Sequence, residues 1–145
     1  VERYLDLLTK VYVLYARGGY SSNLRKEVVK SKRWYFFDNG IRNALLNDFS
    51  PLALRPDKGA LWEQHFTGER LKYNHYLGNP PESYFWRTYD QQEIDLVEVH
   101  NRQITAFECK WAKTTAKAPA AFAKAYPDAA FHVVHPGNYE QWIGG

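Results

Sequence analysis

Several features are scarce or missing in this chain of 145 residues, and each absence narrows its chemistry. Cys109 is its single cysteine, which excludes an internal disulfide framework and a cysteine-rich zinc site, and fits a reducing compartment. No segment approaches the roughly 18 consecutive apolar residues that a membrane span needs, and the sequence shows no charged start followed by an apolar run and a small-residue cleavage site. We therefore expect a soluble, cytoplasmic protein that makes no membrane contact.

Methionine is absent altogether, and the sequence opens with Val1 inside an expected helix, so we expect a fragment of a longer protein. Its 45% hydrophobic content is enough for one ordinary core, with room for a small appendage but not for two large domains.

Positive charge is present in a modest excess, with a formal net charge of +3, which alone does not argue for nucleic acid. The distribution is more informative, because five basic side chains crowd into nine positions: Arg25, Lys26, Lys30, Lys32 and Arg33. This cluster has two interpretations, a solvated hairpin or a patch that contacts nucleic-acid phosphates.

The first third of the chain predicts a small appendage. Apolar residues at helical spacing predict a helix over residues 2–16, which Gly18 and Gly19 end. The basic stretch 20–34 and the aromatic run 34–37 predict a β-hairpin with a charged tip, followed by a short helix at 41–46. Prolines and a glycine in residues 50–59 mark the boundary, so we expect an N-terminal segment at 1–50 and a main domain at 51–145.

Beyond that boundary, the order of elements predicts an α/β fold with a mixed sheet. The periodicities and turn residues indicate the order α-β-β-β-α-β. The predicted elements are a helix at 60–76, strands at 84–88, 93–100 and 103–111, a helix at 118–126 and a strand at 131–134.

The two central strands predict a cluster of charged side chains. If Asn101 and Arg102 form a two-residue hairpin loop, counting back along the ladder places Asp95 directly opposite Glu108. Because strand side chains alternate, Lys110 shares the face of Glu108, while Phe107, Cys109 and Trp111 point the other way.

Two facing carboxylates repel by about 3 kcal/mol at about 5 Å and an effective dielectric constant of about 20. Two explanations offset that cost. Lys110 can serve as a structural counter-charge, or the carboxylates can hold a hard divalent cation that also binds a substrate phosphate.

The sequence resembles the PD-(D/E)XK nucleases in three features. It has an acid, Asp95, on one strand, Glu108-Cys109-Lys110 on the next strand, and flanking helices in the order α-β-β-β-α-β. Glu63 matches the glutamate that many members carry on the preceding helix. The literal proline is absent, since Ile94 precedes Asp95. The resemblance implies a restriction-endonuclease-like core.

The neighbouring segments resemble the C-terminal region of a bacterial and archaeal family of AAA+ ATPases over nearly the whole chain. The segments that carry this similarity are Trp34–Ile41, Gly59–Glu63, Phe85–Arg87, Glu93–Asp95 and Phe107–Lys110. In that family a P-loop motor comes first, then a winged-helix-like segment, then the nuclease-like domain. This chain has no G-x-x-x-x-G-K-S/T, so it has no ATP site of that kind. The resemblance makes an upstream motor of the same polypeptide a partner, and the basic hairpin the wing of a partial winged-helix-like segment.

The resemblance also implies residue roles. Asp95 and Glu108 would ligate Mg²⁺ or Mn²⁺, with the backbone carbonyl of Cys109 as a further ligand and Glu63 as a direct or water-mediated contact. Lys110 would orient the attacking water and offset charge on the phosphate. Arg87 has two interpretations, a phosphate contact or a structural ion pair.

Three functions remain open at this point. The first is a Mg²⁺- or Mn²⁺-dependent nuclease acting on DNA, which we favour, or on RNA. The second is a catalytically inactive nuclease-fold module that binds nucleic acid, a partner protein or the motor. The third, suggested by the 17% aromatic content, is an oligomerisation domain.

Overall fold

The computed structural model describes residues 1–22 and 31–144 and shows a mixed sheet with helices packed on both faces. Two short 3₁₀ turns, Leu52–Leu54 and Tyr139–Trp142, supplement the main elements. Those are α1 (Glu2–Lys10), β1 (Leu14–Gly19), β2 (Lys32–Phe36), α2 (Asn39–Leu46), α3 (Lys58–Tyr76), β3 (Glu82–Arg87), β4 (Glu93–His100), β5 (Gln103–Cys109), α4 (Ala120–Ala125) and β6 (Ala130–Val134).

The sheet has six strands in the order β2-β1-β3-β4-β5-β6. β1 is parallel to β3 and β5 is parallel to β6, whereas the other neighbours are antiparallel. The predicted mixed sheet is therefore confirmed, as is the order α-β-β-β-α-β from α3 onward. β1 and β2 extend this same sheet, and the winged-helix-like character of residues 1–50 stays a prediction.

The β4–β5 hairpin has the predicted register. Asn101 and Arg102 both have positive φ, 49° and 67°, which suits a two-residue loop whose twist matches that of the strands. His100 pairs with Gln103, and the ladder continues to Leu96 opposite Phe107.

Each face of the sheet buries its own apolar cluster, and the two clusters hold the helices in place. Beneath α3 lie Trp62, Phe66, Leu96, Phe107, Cys109 and Val134. Beneath α4 lie Trp86, Ile94, Val97, Ala106, Phe122 and Tyr126. Phe66, Leu96 and Phe107 are fully buried, and the indole of Trp62 donates to the carbonyl oxygen of Val134 at 3.0 Å. These contacts fix the orientation of α3 over the sheet.

The predicted helix at 2–16 is wrong in its second half, because α1 ends at Lys10 and β1 begins at Leu14. Tyr12 has a positive φ of 58° at the break. As a strand, this segment buries Leu14 and Tyr15 and gains ladder hydrogen bonds from both β2 and β3. α1 itself has no buried residue, so the sheet outcompetes continuation of the helix.

Part of the predicted basic hairpin lies outside the residues that the structure describes. Arg25, Lys26 and Lys30 lie outside the described residues, whereas Lys32 and Arg33 begin β2. Among the described helices, none is both long and apolar enough to cross a bilayer.

Candidate active site

Asp95 lies where β4 and β5 cease to pair regularly. The regular pairs end at Leu96 and Phe107, and beyond them the backbone N–H of Cys109 donates to Asp95 Oδ2 at 2.8 Å. The register of β4 against β3 also shifts here. Ile94 and Leu96 lie two residues apart yet pack in opposite clusters, which marks a bulge at Asp95. The bulge and the end of pairing bring this carboxyl group towards β5, where it is 8% exposed.

The environment of Asp95 opposes its ionisation. Burial, together with the nearby Glu63 and Glu108 carboxylates, raises the pKa of this carboxyl group to about 8, against the opposing hydrogen bond from Cys109. The carboxyl group is therefore mainly protonated at neutral pH. Carboxyl groups perturbed by burial and by like charges occur preferentially at functional sites.

Glu63 reaches the cluster from α3. Its Oε1 accepts a hydrogen bond from the hydroxyl of Tyr35 at 3.0 Å and lies 3.8 Å from a guanidinium nitrogen of Arg33. Burial raises the pKa of Glu63, and this rise is opposed by Tyr35, Arg33 and Arg17. Glu63 thus contacts the hydroxyl group of Tyr35 and lies near the guanidinium of Arg33, and the charge of Arg17 also lowers its pKa without an ion pair among the described residues.

Glu108 and Lys110 form an ion pair, with Lys110 Nζ 2.7 Å from Glu108 Oε1. That hydrogen bond raises the pKa of Lys110. The second carboxylate oxygen, Oε2, is buried and has no partner among the described residues. Because Phe107 and Cys109 pack beneath α3, strand alternation directs Glu108 away from the helix that carries Glu63.

Cys109 contributes its backbone N–H to Asp95, and its side chain belongs to the cluster beneath α3. Burial raises the pKa of the thiol well above its usual range. The buried thiol is an apolar core contact, and the role of the carbonyl oxygen as a metal ligand stays a prediction.

The donor chemistry of the cluster fits a hard divalent cation, but its geometry is not that of a finished metal site. Glu63 and Glu108 both raise the pKa of Asp95, which is held mainly protonated, and Glu108 Oε2 has no hydrogen-bond partner among the described residues. Even so, no group of three or more His, Cys, Asp or Glu side chains in the described ranges is arranged to hold a metal ion. Metal binding would require Asp95 to lose its proton and the side chains of Glu63 and Glu108 to shift.

Two arginines on neighbouring strands complete the cluster, and neither was predicted to lie beside the carboxyl groups. Arg33 contacts Glu93 at 2.7 Å and Glu63 at 3.8 Å, and it stacks 4.6 Å from the ring centre of Phe85. Arg17 lies directly opposite Arg33 in the β1–β2 ladder and is only 3% exposed. Because a helix was predicted over residues 2–16, directly before Arg17, its position opposite Arg33 could not be foreseen. A strand assignment for residues 14–19 would have revealed it.

The remaining predicted nucleic-acid contacts lie outside this cluster. Arg87 donates to the side chain of Gln91 in the turn after β3, and it forms no ion pair among the described residues. Lys32 is exposed and lies 5.9 Å from the ring centre of Trp34. Neither position by itself indicates a bound phosphate.

Comparisons with known proteins find relatives that are themselves described as uncharacterized. Two uncharacterized proteins, from Mycobacterium bovis and Mycobacterium tuberculosis, are each 36% identical to it over 116 residues, which is 78% of this chain. The chain spans about a quarter of the length of these relatives. No solved structure matches it significantly.

Models of two families of unknown function match different parts of the chain. DUF8612 matches residues 1–52, and DUF4143 matches residues 58–145, which is more than half of the chain. The chain therefore belongs to the family described as "Domain of unknown function (DUF4143)", a domain found in AAA-ATPase-associated proteins.

Proposed function

We propose that this chain carries a metal-dependent phosphodiesterase site of the nuclease type, centred on Asp95. The observation that supports it best is the position of Asp95, buried at a bulge where two strands separate and influenced by two further carboxylates. A purely structural carboxyl group gains nothing from such neighbours. A divalent cation would turn their mutual repulsion into shared coordination.

In this proposal Asp95 and Glu108 are the principal ligands, and Glu63 adds a direct or water-mediated contact. The Cys109 carbonyl is the further candidate ligand. Bound Mg²⁺ or Mn²⁺ would supply Lewis acidity toward a phosphate oxygen and lower the pKa of water. Lys110 would leave its ion pair with Glu108, orient the attacking water and offset charge developing on the phosphate.

The proposed substrate is a nucleic-acid phosphodiester, with DNA favoured over RNA. The basic hairpin that includes Lys32 and Arg33 would contact the backbone. An ATPase motor in the same longer polypeptide is the proposed partner, on the strength of the family and of the relatives' greater length.

Cleavage of labelled single- and double-stranded DNA and RNA, with Mg²⁺, Mn²⁺ or chelator, tests the proposal. We expect metal-dependent cleavage by the wild type and a loss of about a hundredfold or more in Lys110→Ala and Asp95→Asn. The matched control is Lys72→Gln, which removes an exposed lysine of α3 whose contact is Glu69. Cleavage that survives in both site variants would come from another protein in the preparation and would contradict the proposal.

A second candidate is a catalytically inactive module that binds nucleic acid, a partner protein or the motor. The specific observation in its favour is that Glu63 and Glu108 already have close internal partners in Tyr35 and Lys110. This reading predicts binding to the same oligonucleotides without cleavage in any metal, and with no contribution from Lys110.

A further inference from the structure

Arg17 is a buried cation that contacts no anion among the residues described by the structure. It is 3% exposed, and its guanidinium lies over the stacked rings of Tyr15 and Tyr35, 5.6 and 5.1 Å from their centres. Its Nη1 has no hydrogen-bond partner, and no carboxylate forms an ion pair with it in the described part of the chain. Buried guanidinium groups are normally paired, because desolvating an unpaired charge is costly.

The arginine opposite shows what a paired one looks like at this position. Arg33 faces Arg17 across the β1–β2 ladder, and its two terminal nitrogens approach Glu93 and Glu63. Two adjacent guanidinium groups repel, so the pair is stable only with enough negative charge nearby. Arg33 has its anions in contact, whereas Arg17 lacks one.

The unpaired nitrogen belongs to the candidate active site rather than to a remote part of the fold. The charge of Arg17 acts on Glu63, on Tyr35 and on the Cys109 thiol, so it lies near the end of α3 that carries Glu63. Residues 1–52 and 58–145 match different families, and Arg17, like Arg33 and Tyr35, brings a side chain of the first part to the Glu63 carboxylate of the second.

We propose that Arg17 is the binding position for an oxyanion, specifically a phosphate oxygen, near Glu63. The planar guanidinium fork suits phosphate geometry, and a phosphate would supply the missing negative charge. Because the aromatic rings cover Arg17 in this structure, the anion would displace a covering contact rather than enter an open groove. The substrate class, a nucleic-acid phosphodiester, rests on the proposed function.

Binding measured in chelator tests this proposal without requiring catalysis. The probes are inorganic phosphate, by calorimetry, and labelled single- and double-stranded oligonucleotides, by fluorescence anisotropy. We expect Arg17→Gln to weaken binding about tenfold or more, and Lys72→Gln to leave it unchanged. If Arg17→Gln binds the oligonucleotides more weakly, the ligand is a nucleic-acid phosphodiester. If it binds only inorganic phosphate more weakly, the ligand is free phosphate, and the substrate assignment is overturned.

A stability measurement separates this role from a structural one. If Arg17 is kept for a ligand, Arg17→Gln should melt at the same or a higher temperature without phosphate, and phosphate should no longer raise that temperature. If Arg17→Gln does not fold, Arg17→Lys carries the test, because it keeps the charge but loses the fork; we expect at least a threefold loss of affinity.

The proposal would be overturned if a folded Arg17 variant bound phosphate and oligonucleotides with wild-type affinity. It would also be overturned if the wild type bound neither ligand. The proposed anion site and the proposed nuclease function can fail separately. Metal-dependent cleavage with wild-type binding in Arg17→Gln would contradict only the anion site. Binding that depends on Arg17, without cleavage in any metal, would contradict only the nuclease function.

Discussion

β4 carries two buried carboxyl groups three residues apart, and their surroundings differ in almost every respect. Glu98 is 4% exposed and accepts hydrogen bonds from two guanidinium nitrogens of Arg70, at 2.9 and 2.8 Å, and from Asn74 at 2.6 Å. Asp95 is 8% exposed and accepts one from the backbone of Cys109. Its charged neighbours include Glu63 and Glu108.

The comparison separates a structural carboxylate from a candidate functional one. Glu98 sits in the regular ladder opposite Thr105, and its ion pair fastens α3 to the sheet. Asp95 sits at the bulge, where the backbone no longer follows the ladder. A buried charge with complete partners contributes to a specific fold, whereas one surrounded by like charges persists only where something else requires it.

Breaking the Glu98 ion pair should have the largest effect. Arg70→Met leaves Glu98 buried without its cation, so we expect the free energy of unfolding to fall by about 3–5 kcal/mol in urea titrations. The matched control is Arg42→Met, which breaks a more exposed pair with Asp57 and should cost about 1 kcal/mol or less. Equal losses in the two variants would show that burial does not distinguish them.

Whereas Glu98 stabilises the fold through its ion pair, ionised Asp95 should destabilise it, so the stability of the protein should depend on pH. The pKa of Asp95 is raised from 3.8 to about 8 in the folded protein, so the folded state binds more protons between these values. The stabilisation from this proton is complete below about pH 4 and is lost as pH rises through 8. In metal-free wild type we expect stability to fall with pH by up to about 1.4 kcal/mol per unit.

Asp95→Asn should flatten this dependence and equal or exceed wild-type stability near pH 8, by up to a few kcal/mol. Chemical denaturation at several pH values in chelator measures it, with Asp90→Asn in an exposed turn as the control. A variant that is less stable than wild type at pH 8 would indicate that Asp95 is a structural partner of Lys110.

The contrast between Asp95 and Glu98 could not be foreseen from the sequence, although much of the surrounding fold could. The elements from α3 to β6 follow from local signals, such as the apolar pair Trp62 and Phe66 at helical spacing in α3 and the turn residues Asn101 and Arg102. The bulge at Asp95 depends on how β4 packs against β3 and β5 together. No local pattern reports that arrangement.

The N-terminal error has the same origin. The residues from Tyr4 to Tyr15 fit a helical stripe, but the second part of this segment becomes the strand between β2 and β3. β3 begins more than 60 residues later in the chain, so the competing hydrogen bonds are invisible to a local window. Arg17 was overlooked for this reason, and so was its place opposite Arg33.

Added metal should sharpen the comparison, with a smaller expected effect. If Asp95 is a ligand, Mn²⁺ at ten times its dissociation constant stabilises the wild type by about 1.4 kcal/mol, because only the folded state binds it. Thermal melts should show this shift shrinking sharply in Asp95→Asn and persisting in Asp90→Asn. A wild type indifferent to metal, beside a destabilised Asp95→Asn without metal, would end the catalytic interpretation.

The smallest expected effect concerns the two basic residues at the start of β2, which differ as the two carboxyl groups do. Lys32 is exposed and has no carboxylate partner among the described residues, whereas Arg33 is held by Glu93 and Glu63. If the hairpin contacts phosphates, Lys32→Gln should reduce the dependence of log affinity on log salt by up to about 0.9, the contribution of one duplex phosphate contact. Arg33→Gln should change this slope less, because the charge of Arg33 is already neutralised by its carboxylate partners.

Oligonucleotide titrations from low to moderate salt measure the slope for both variants. A slope unchanged in Lys32→Gln would mean that Lys32 belongs to a solvated hairpin and contacts no phosphate. A larger change in Arg33→Gln than in Lys32→Gln would instead mean that Arg33 leaves its carboxylates when nucleic acid binds, so that the ion pairs around Glu63 open on binding.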